Sequence, residues 1–520
     1  MTRTAAEIGA GLSPARTARP IRAGERIHVV GVAGAGASAA ALLALDAGAL
    51  VTGCDAGGPS PYTPALDAAG VPIARGHDPA HVRDAPRPDR LAVTKALTAV
   101  APDHPELGAA REAGIPLEPW QQVIADAAAG RRLVAVAGTH GKSTSAGWLV
   151  HLLVAAGADP SAFVGALLPA ALTGTLAATA RIGRGEAFVV EADEYAGNFA
   201  PYRPSVAILT SAEWDHPDVF ADGPAVIDAF EAWIRAMPAG GTLVANVAEP
   251  GVATLVERVH RDLPLRLVAC ALSDVPPGRS GYLKGIADQY ATPLGPAVPL
   301  IGRLVAADRA GTTIEITGLG PLDRARVRLP TAGRHNAANA LGVAGAALAL
   351  GIEPTAIESG LASFSGVGRR LERKGEIGGV VVYDDYGHHP TAIRETIGAI
   401  RQREPGRRVW AVYEPLTYHR TAALLAEFAA ALATADAVAV ADIWAGRDPD
   451  TTIASPGALA AEVARLRPDI VPAAPGSVEA TADWLAGQVR SGDAVLVMGG
   501  GRSYRIGERL LEALEARAPR

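Results

Sequence analysis

Residues 134–145 read VAVAGTHGKSTS, an apolar run that breaks at Gly138 and leads through a second glycine into Lys142 and Ser143. A strand that ends in a glycine turn and feeds a helix points free backbone N–H groups, and the positive end of the helix dipole, into the turn. Phosphate is the natural guest. Lys142 adds a mobile positive charge for the outer phosphates, and Ser143 puts a hydroxyl where it can ligate Mg²⁺. In the general P-loop pattern a glycine stands five residues before Gly141, where this chain has Val136. The turn is the shorter Gly138-Thr139-His140-Gly141-Lys142-Ser143-Thr144.

Two acidic strand ends follow this loop. VVEADEY delivers Glu191, Asp193 and Glu194, and VAILTSAEWDHPDVF delivers Glu213, Asp215 and His216. A hard cation such as Mg²⁺ takes oxygen ligands, so acidic residues at neighbouring strand ends beside a phosphate loop mark a metal and phosphate crevice.

Working outward toward the N-terminus, residues 26–57 read RIHVVGVAGAGASAAALLALDAGALVTGCDAG: strand, glycine turn, Ala-rich helix, second strand, then Asp55. This is the first half of a Rossmann-like unit. Gly34 and Gly36 with Ala39 allow a GxGxxA reading, with Asp55 about twenty residues on. The turn suits a dinucleotide or another nucleotide diphosphate, and tight strand–helix packing alone would also call for these glycines.

Toward the C-terminus, a Gly- and Pro-rich, β-containing excursion runs from about Leu272 to Pro330, before the helical HNAANALGVAGAALALGI. A third strand–helix series then carries VVVYDDY, RRVWAVYEP, AVAVADIW and DAVLVMGGG. The expectation is an α/β chain of three tandem domains: a loose tail over 1–24, a Rossmann-like domain over 25–128, a central P-loop ATPase-type domain over 129–365, and a C-terminal Rossmann-like domain over 366–520.

Composition agrees with several domains rather than one core, since 520 residues exceed what one core usually organises. Apolar residues make up 49 % and aromatics only 5 %, so Ala, Val and Leu must do the packing. The net charge of −6 has no basic block, which leaves neither a nucleic acid nor a membrane surface as expected partner. The N-terminus lacks the apolar core of a signal peptide, and Cys54 and Cys270 show no metal-like spacing, so a reducing, cytoplasmic setting is expected. The oligomeric expectation is a monomer or weak homodimer.

The motifs GTHGKS, VEADE, DHPD, GRHNAANAL, FSGVGRRLE and DDYGHHPTAI follow one another in the order seen in Mur ligases, and the chain resembles that family, most of all its alanine-adding branch. The resemblance runs from about residue 26 to the C-terminus. It implies an ATP- and Mg²⁺-dependent amide ligase that phosphorylates the lactyl carboxylate of UDP-N-acetylmuramate and joins the acyl phosphate to L-alanine, releasing ADP and phosphate. By the same match, Gly34, Gly36, Ser38 and Asp55 face the UDP sugar, while Ser143 and Glu191 resemble ligands of the nucleotide Mg²⁺ and His216 the ligand of a second ion. Asn336 and Asn339 resemble adenine contacts, Arg370 a phosphate-contacting arginine, Asp385 and His388 the C-terminal domain's contribution, and Tyr418 and Arg420 substrate contacts. The carbamylated lysine of several Mur ligases that add later residues has no counterpart, since no lysine lies between Lys142 and Lys284, and in this the chain resembles the alanine-adding and peptide-recycling branches, which do without it.

Departures concern the amine. Where the alanine-adding branch reads roughly PHRYxRT, this chain reads PLTYHRT, with Leu416 and Thr417 at the histidine and first arginine. A ligase for a preformed tripeptide or another amine is the alternative. A non-catalytic relative would not need Lys142, Glu191, His216, Arg370 and Asp385, and an NAD(P)-dependent oxidoreductase would leave the second glycine loop without a task.

Overall fold

The computed structural model describes residues 2–273, 280–319, 324–446, 448 and 450–517. Among these residues three sheets follow in chain order. The first is all parallel, with strands in the order Ile73–Arg75, Leu50–Asp55, Arg26–Val30, Arg90–Val93, Leu117–Pro119.

The second sheet has ten strands. Strand Arg132–Ala137, which ends in the glycine loop, lies between Ala187–Ala192 and Val206–Leu209, parallel to both. These neighbours carry the two acidic ends, so three carboxyl ends open on one crevice, where α/β sheets bind ligands. The Gly- and Pro-rich excursion extends this sheet: Val298–Asp308 joins Arg266–Leu272 in parallel, then pairs antiparallel with Gly311–Thr317, which pairs antiparallel with Ala325–Leu329. Its residues 274–279 and 320–323 lie outside the described residues.

The third sheet runs Glu372–Ile377, Val380–Asp385, Asp493–Gly499, Arg408–Glu414, Ala437–Ala441, Ala473–Gly476, with all but the first strand parallel. Parallel strands covered on both faces read as unbroken apolar runs. With few aromatics available, small side chains set the layer spacing. A Cβ added at Gly345, on helix Arg334–Ala349, would come within 2.7 Å of the Val244 side chain on the sheet beneath.

The N-terminal segment corrects an expectation: it is a strap, not a loose tail. Thr4 and Glu7 form a capping box around the short helix Ala5–Ile8. Ile8 is fully buried against Tyr195 and Ala196 of the central domain, and the Arg3 N–H donates to the Asp218 carbonyl at 2.7 Å. Further on, Arg16 pairs with Glu118 and Asp126, and Arg19 with Glu25. These carboxylates are buried around Arg90, and buried carboxylates need cations, which the segment brings. No helix among the described residues is long and apolar enough to cross a membrane.

Candidate active site

Gly138 and Gly141 have φ of 128° and 80°, and helix Lys142–Ala155 starts directly after them. A Cβ at Gly138 would lie 2.2 Å from Thr210 Oγ1, and one at Gly141 2.5 Å from Asn339 Oδ1, so both glycines are required by conformation and by space. Lys142 folds back over the loop, donating to the Gly138 carbonyl at 2.6 Å and to Glu194 at 3.0 Å. Burial works against its charge, but Glu194, Asp193 and Glu191 outweigh burial and raise its pKa above the ordinary lysine value. Burial, opposed by Lys142 and reinforced by Asp193, pushes Glu194 up to about 7.

Ser143 is the meeting point of two domains. Its hydroxyl donates to Glu191 Oε1 at 2.9 Å and accepts from Arg370 Nη2 at 2.8 Å. The other oxygen of Glu191 accepts the Gly165 N–H at 2.7 Å. Arg370 packs over the Tyr386 ring and keeps a buried Nε without a partner.

A second meeting point lies at His216, a non-glycine residue at φ 56°. Arg420 crosses from the C-terminal domain, donating from Nε to Asp215 at 2.7 Å and from Nη2 to His216 Nδ1 at 3.0 Å. A guanidinium only donates, so Nδ1 accepts, and in the neutral ring the proton sits on Nε2. The ligand atoms of His216, Asp193 and Glu194 cluster within 4.8 Å. In this arrangement His216 is not set to ligate a cation: Nδ1 is taken and Nε2 carries the proton. Its expected role as metal ligand needs Arg420 withdrawn.

Two cavities share the loop. The larger, about 760 Å³, runs from His140, Gly141 and Thr144 past Asn336 and Asn339 to Asp385. The smaller, about 370 Å³, is lined by Gly36, Lys142, Glu191, His216, His388 and Arg420, so all three domains contribute. Arg370 borders both. Asp385 accepts the N–H groups of Gly387 and Leu371 at 2.7 Å each. His388 is held well below the usual imidazole pKa, first by burial and then by Arg420.

Other expected residues fall elsewhere. Ser38 is buried and hydrogen-bonds Thr179 of the central domain at 3.0 Å, which makes it a packing residue rather than a sugar contact. Asp55 closes the glycine turn by accepting the N–H groups of Ala33 and Gly57. Gly34 caps helix Ala35–Asp46, and neither it nor Tyr418 lines the two cavities. Gly36 does line the smaller one, beside the Trp120 ring that a Cβ at this position would strike. Lys95, which no motif marks, lines the smaller cavity and donates to the Ala196 carbonyl at 2.6 Å; burial lowers its pKa to about 8. Its signal was the scarcity of lysine. Arg502 pairs with Glu479 at the surface.

The site fits ATP and a hard cation. A cradle with no room for Cβ atoms, a buried lysine and the orphaned Nε of Arg370 suit a polyphosphate, and the Ser143–Glu191 pair offers oxygen donors to Mg²⁺.

Family models match three stretches in order: the Mur ligase family catalytic domain over residues 26–132, the Mur ligase middle domain over 136–268, and the Mur ligase glutamate ligase domain over 369–501. The chain belongs to the Mur ligase family. A UDP-N-acetylmuramate–L-alanine ligase of a Mycobacterium species is 38 % identical to this Mur ligase, over 95 % of this chain and 96 % of its own. Among solved structures, the UDP-N-acetylmuramate–alanine ligase of Thermotoga maritima superimposes with a TM-score of 0.74 at 22 % identity, covering 94 % of this chain and 99 % of that one. A murein peptide ligase from Psychrobacter arcticus gives 0.70 at 25 % identity, covering 96 % and 100 %.

Proposed function

We propose that this Mur ligase joins L-alanine to the lactyl carboxylate of UDP-N-acetylmuramate at the expense of ATP, through an acyl phosphate. The observation that carries the reading is the convergence of Lys142, Arg370 and Arg420 from two domains on one small cavity that Gly36 of the first domain also lines. Two anions, a carboxylate and a polyphosphate, have to meet there, and the three cations offset their repulsion.

In this reading the γ-phosphoryl group moves to a carboxylate oxygen, its bond to the ADP oxygen breaking as the new P–O bond forms. The amine of alanine then attacks the acyl carbon, phosphate leaves with its oxygen, and the amine gives up a proton. Mg²⁺ on Ser143 and Glu191 would add positive charge against the phosphoryl oxygens. Lys142 and Arg370 hold the phosphates, while the buried, neutral His388 borders the reaction space and His216 takes its hydrogen bond from Arg420. The unpartnered Nη1 of Arg420 is the donor for the amino acid's carboxylate. Leu416, which lines the same cavity, presents an apolar wall where the methyl of alanine fits.

The test is phosphate release from ATP with UDP-N-acetylmuramate and, in turn, L-alanine, glycine, L-serine and the L-Ala-D-Glu-diaminopimelate tripeptide. Selective turnover with L-alanine is expected. Turnover with the tripeptide alone would assign the protein to peptide recycling, and silence with every amine would overturn the reading.

A further inference from the structure

A cluster of side chains in the first domain serves no step of the ligase reaction. It lies on the face of the sheet opposite helices Ala35–Asp46 and Trp120–Ala127, within the apolar group formed by Val30, Val82, Leu91 and Leu107. His28 on strand Arg26–Val30 and Cys54 on the adjacent strand Leu50–Asp55 share that face. His81, on the short helix Ala80–Arg83, and Glu106, on helix Pro105–Glu112, close over them. His28, Cys54 and Glu106 are 3 %, 0 % and 0 % exposed, an uncommon set of groups to bury together.

The two distances from the thiol are close to those of a coordination shell. Bonds of roughly 2.0–2.3 Å in a tetrahedral zinc site put ligand atoms about 3.3–3.7 Å apart. Here Cys54 Sγ lies 3.3 Å from His28 Nε2 and 3.2 Å from Glu106 Oε2, and the ligand atoms of His28, Cys54, His81 and Glu106 all lie within 4.8 Å of one another. His81 Nδ1 meets the other Glu106 oxygen at 2.5 Å.

The surroundings also have the form of a metal site. His28 Nδ1 bonds the Thr52 hydroxyl at 2.8 Å, which directs Nε2 at the cluster, as the outer partners of metal-bound histidines do. The Asp78 N–H donates to Glu106 Oε1 at 3.0 Å, and His77 Nδ1 lies 3.2 Å from Cys54 Sγ. His104, only 8 % exposed, packs its ring edge-on to His77 and has a buried Nδ1 without a partner, and its ligand atom groups with those of His77 and Glu106.

We propose that His28, Cys54, His81 and Glu106 hold a structural zinc ion in the first domain. Thiolate and imidazole donors select zinc over Mg²⁺, and one thiolate with one carboxylate neutralises its charge inside an apolar shell. Four protein ligands leave no open position, which is the pattern of a structural rather than a catalytic site. On binding, the Zn–S bond forms and the thiol proton passes to solvent. The ion ties two sheet strands to two covering helices directly behind the glycine turn, whose Gly31 and Val32 N–H groups both donate to the Cys54 carbonyl.

The test uses the full chain, stripped with EDTA and dialysed against ZnCl₂ with excess MgCl₂ to occupy oxygen sites. One zinc per chain is expected in the wild type and near none in Cys54→Ser. With CoCl₂ the wild type and Cys270→Ala should both show a thiolate-to-cobalt charge-transfer band, and Thr52→Ala should bind zinc about tenfold more weakly. Equal zinc retention by Cys54→Ser would overturn the proposal. Should that variant fail to fold, the cobalt spectra decide alone: a band in both wild type and Cys270→Ala supports the site, and its absence from the wild type overturns it.

Discussion

Arg420 donates from Nε to Asp215 Oδ1 at 2.7 Å across the boundary between the C-terminal and central domains, and both side chains are almost fully buried. Burial works against ionisation of Asp215, but Arg420 and then His216 hold its carboxyl well below the usual carboxylate range. A desolvated ion pair between domains cannot persist once the domains part, because each charge would then need water. The pair therefore belongs to the closed arrangement, in which the smaller cavity has walls from all three domains.

Arg420→Met is expected to lower kcat by about 100-fold or more while leaving ATP binding nearly unchanged, since breaking a buried pair costs on the order of 3–5 kcal/mol and strands Asp215. Arg420→Lys should recover only part of the rate, because a lysine lacks the fork that reaches Asp215 and His216 together. Steady-state kinetics with nucleotide titrations check both. A wild-type kcat in Arg420→Met would reduce the pair to packing.

Gly141→Ala tests the phosphate loop. A side chain at φ 80° costs about 1–2 kcal/mol, and the new Cβ would sit 2.5 Å from Asn339 Oδ1. The KM for ATP should rise about tenfold or more, while UDP-sugar affinity measured by calorimetry holds, because the first domain is untouched.

Much of this was legible in the sequence. Strands such as VAVAG and VVVYDDY announce themselves as apolar runs ending in glycine or acid, and the glycine loop names its guest through Lys142 and Ser143. What sequence could not show is pairing across long separations. Arg420 finds Asp215 across 205 residues, and the guanidinium's effect on the tautomer of His216 follows only from that contact. Ser38 is a sugar contact by family resemblance, yet its hydroxyl is buried against Thr179 from another domain, 3.0 Å away. Cys54 has no metal-like spacing in the chain because it and its neighbours His28, His81 and Glu106 come from four separate elements. The strap is hidden for a similar reason: its arginines look solvated until the buried acids they neutralise are in place.

Ile8→Ala tests the strap. Ile8 is fully buried between the first and central domains, and the Thr98 hydroxyl donates to its carbonyl at 2.6 Å. Truncation should cost about 2–4 kcal/mol of local stability. Limited proteolysis should then cut within the first twenty residues markedly faster than in the wild type, and unchanged protection would show that the strap is held by its arginines alone.

Glu25 gives the strap a pH signature. Its carboxyl accepts from Arg19 at 2.6 Å, and that hydrogen bond, opposed by burial and aided by the Arg22 N–H and by Arg90, holds the pKa down to about 2 against an ordinary 4.5. A carboxyl that is more acidic in the folded state than in the unfolded chain stabilises the fold fully above its unfolded pKa, and the contribution disappears as pH falls through the folded value. The window here runs from about 4.5 down to about 2. Thermal unfolding of wild type and Glu25→Gln should differ by a constant margin at pH 7 and pH 5, with the wild type higher. The margin should shrink at pH 4 and further at pH 3, as the unfolded chain takes up a proton at Glu25 that the folded carboxyl, at about 2, still resists. A margin that holds at pH 3 would show that the contact with Arg19 contributes as a neutral hydrogen bond rather than as an ion pair.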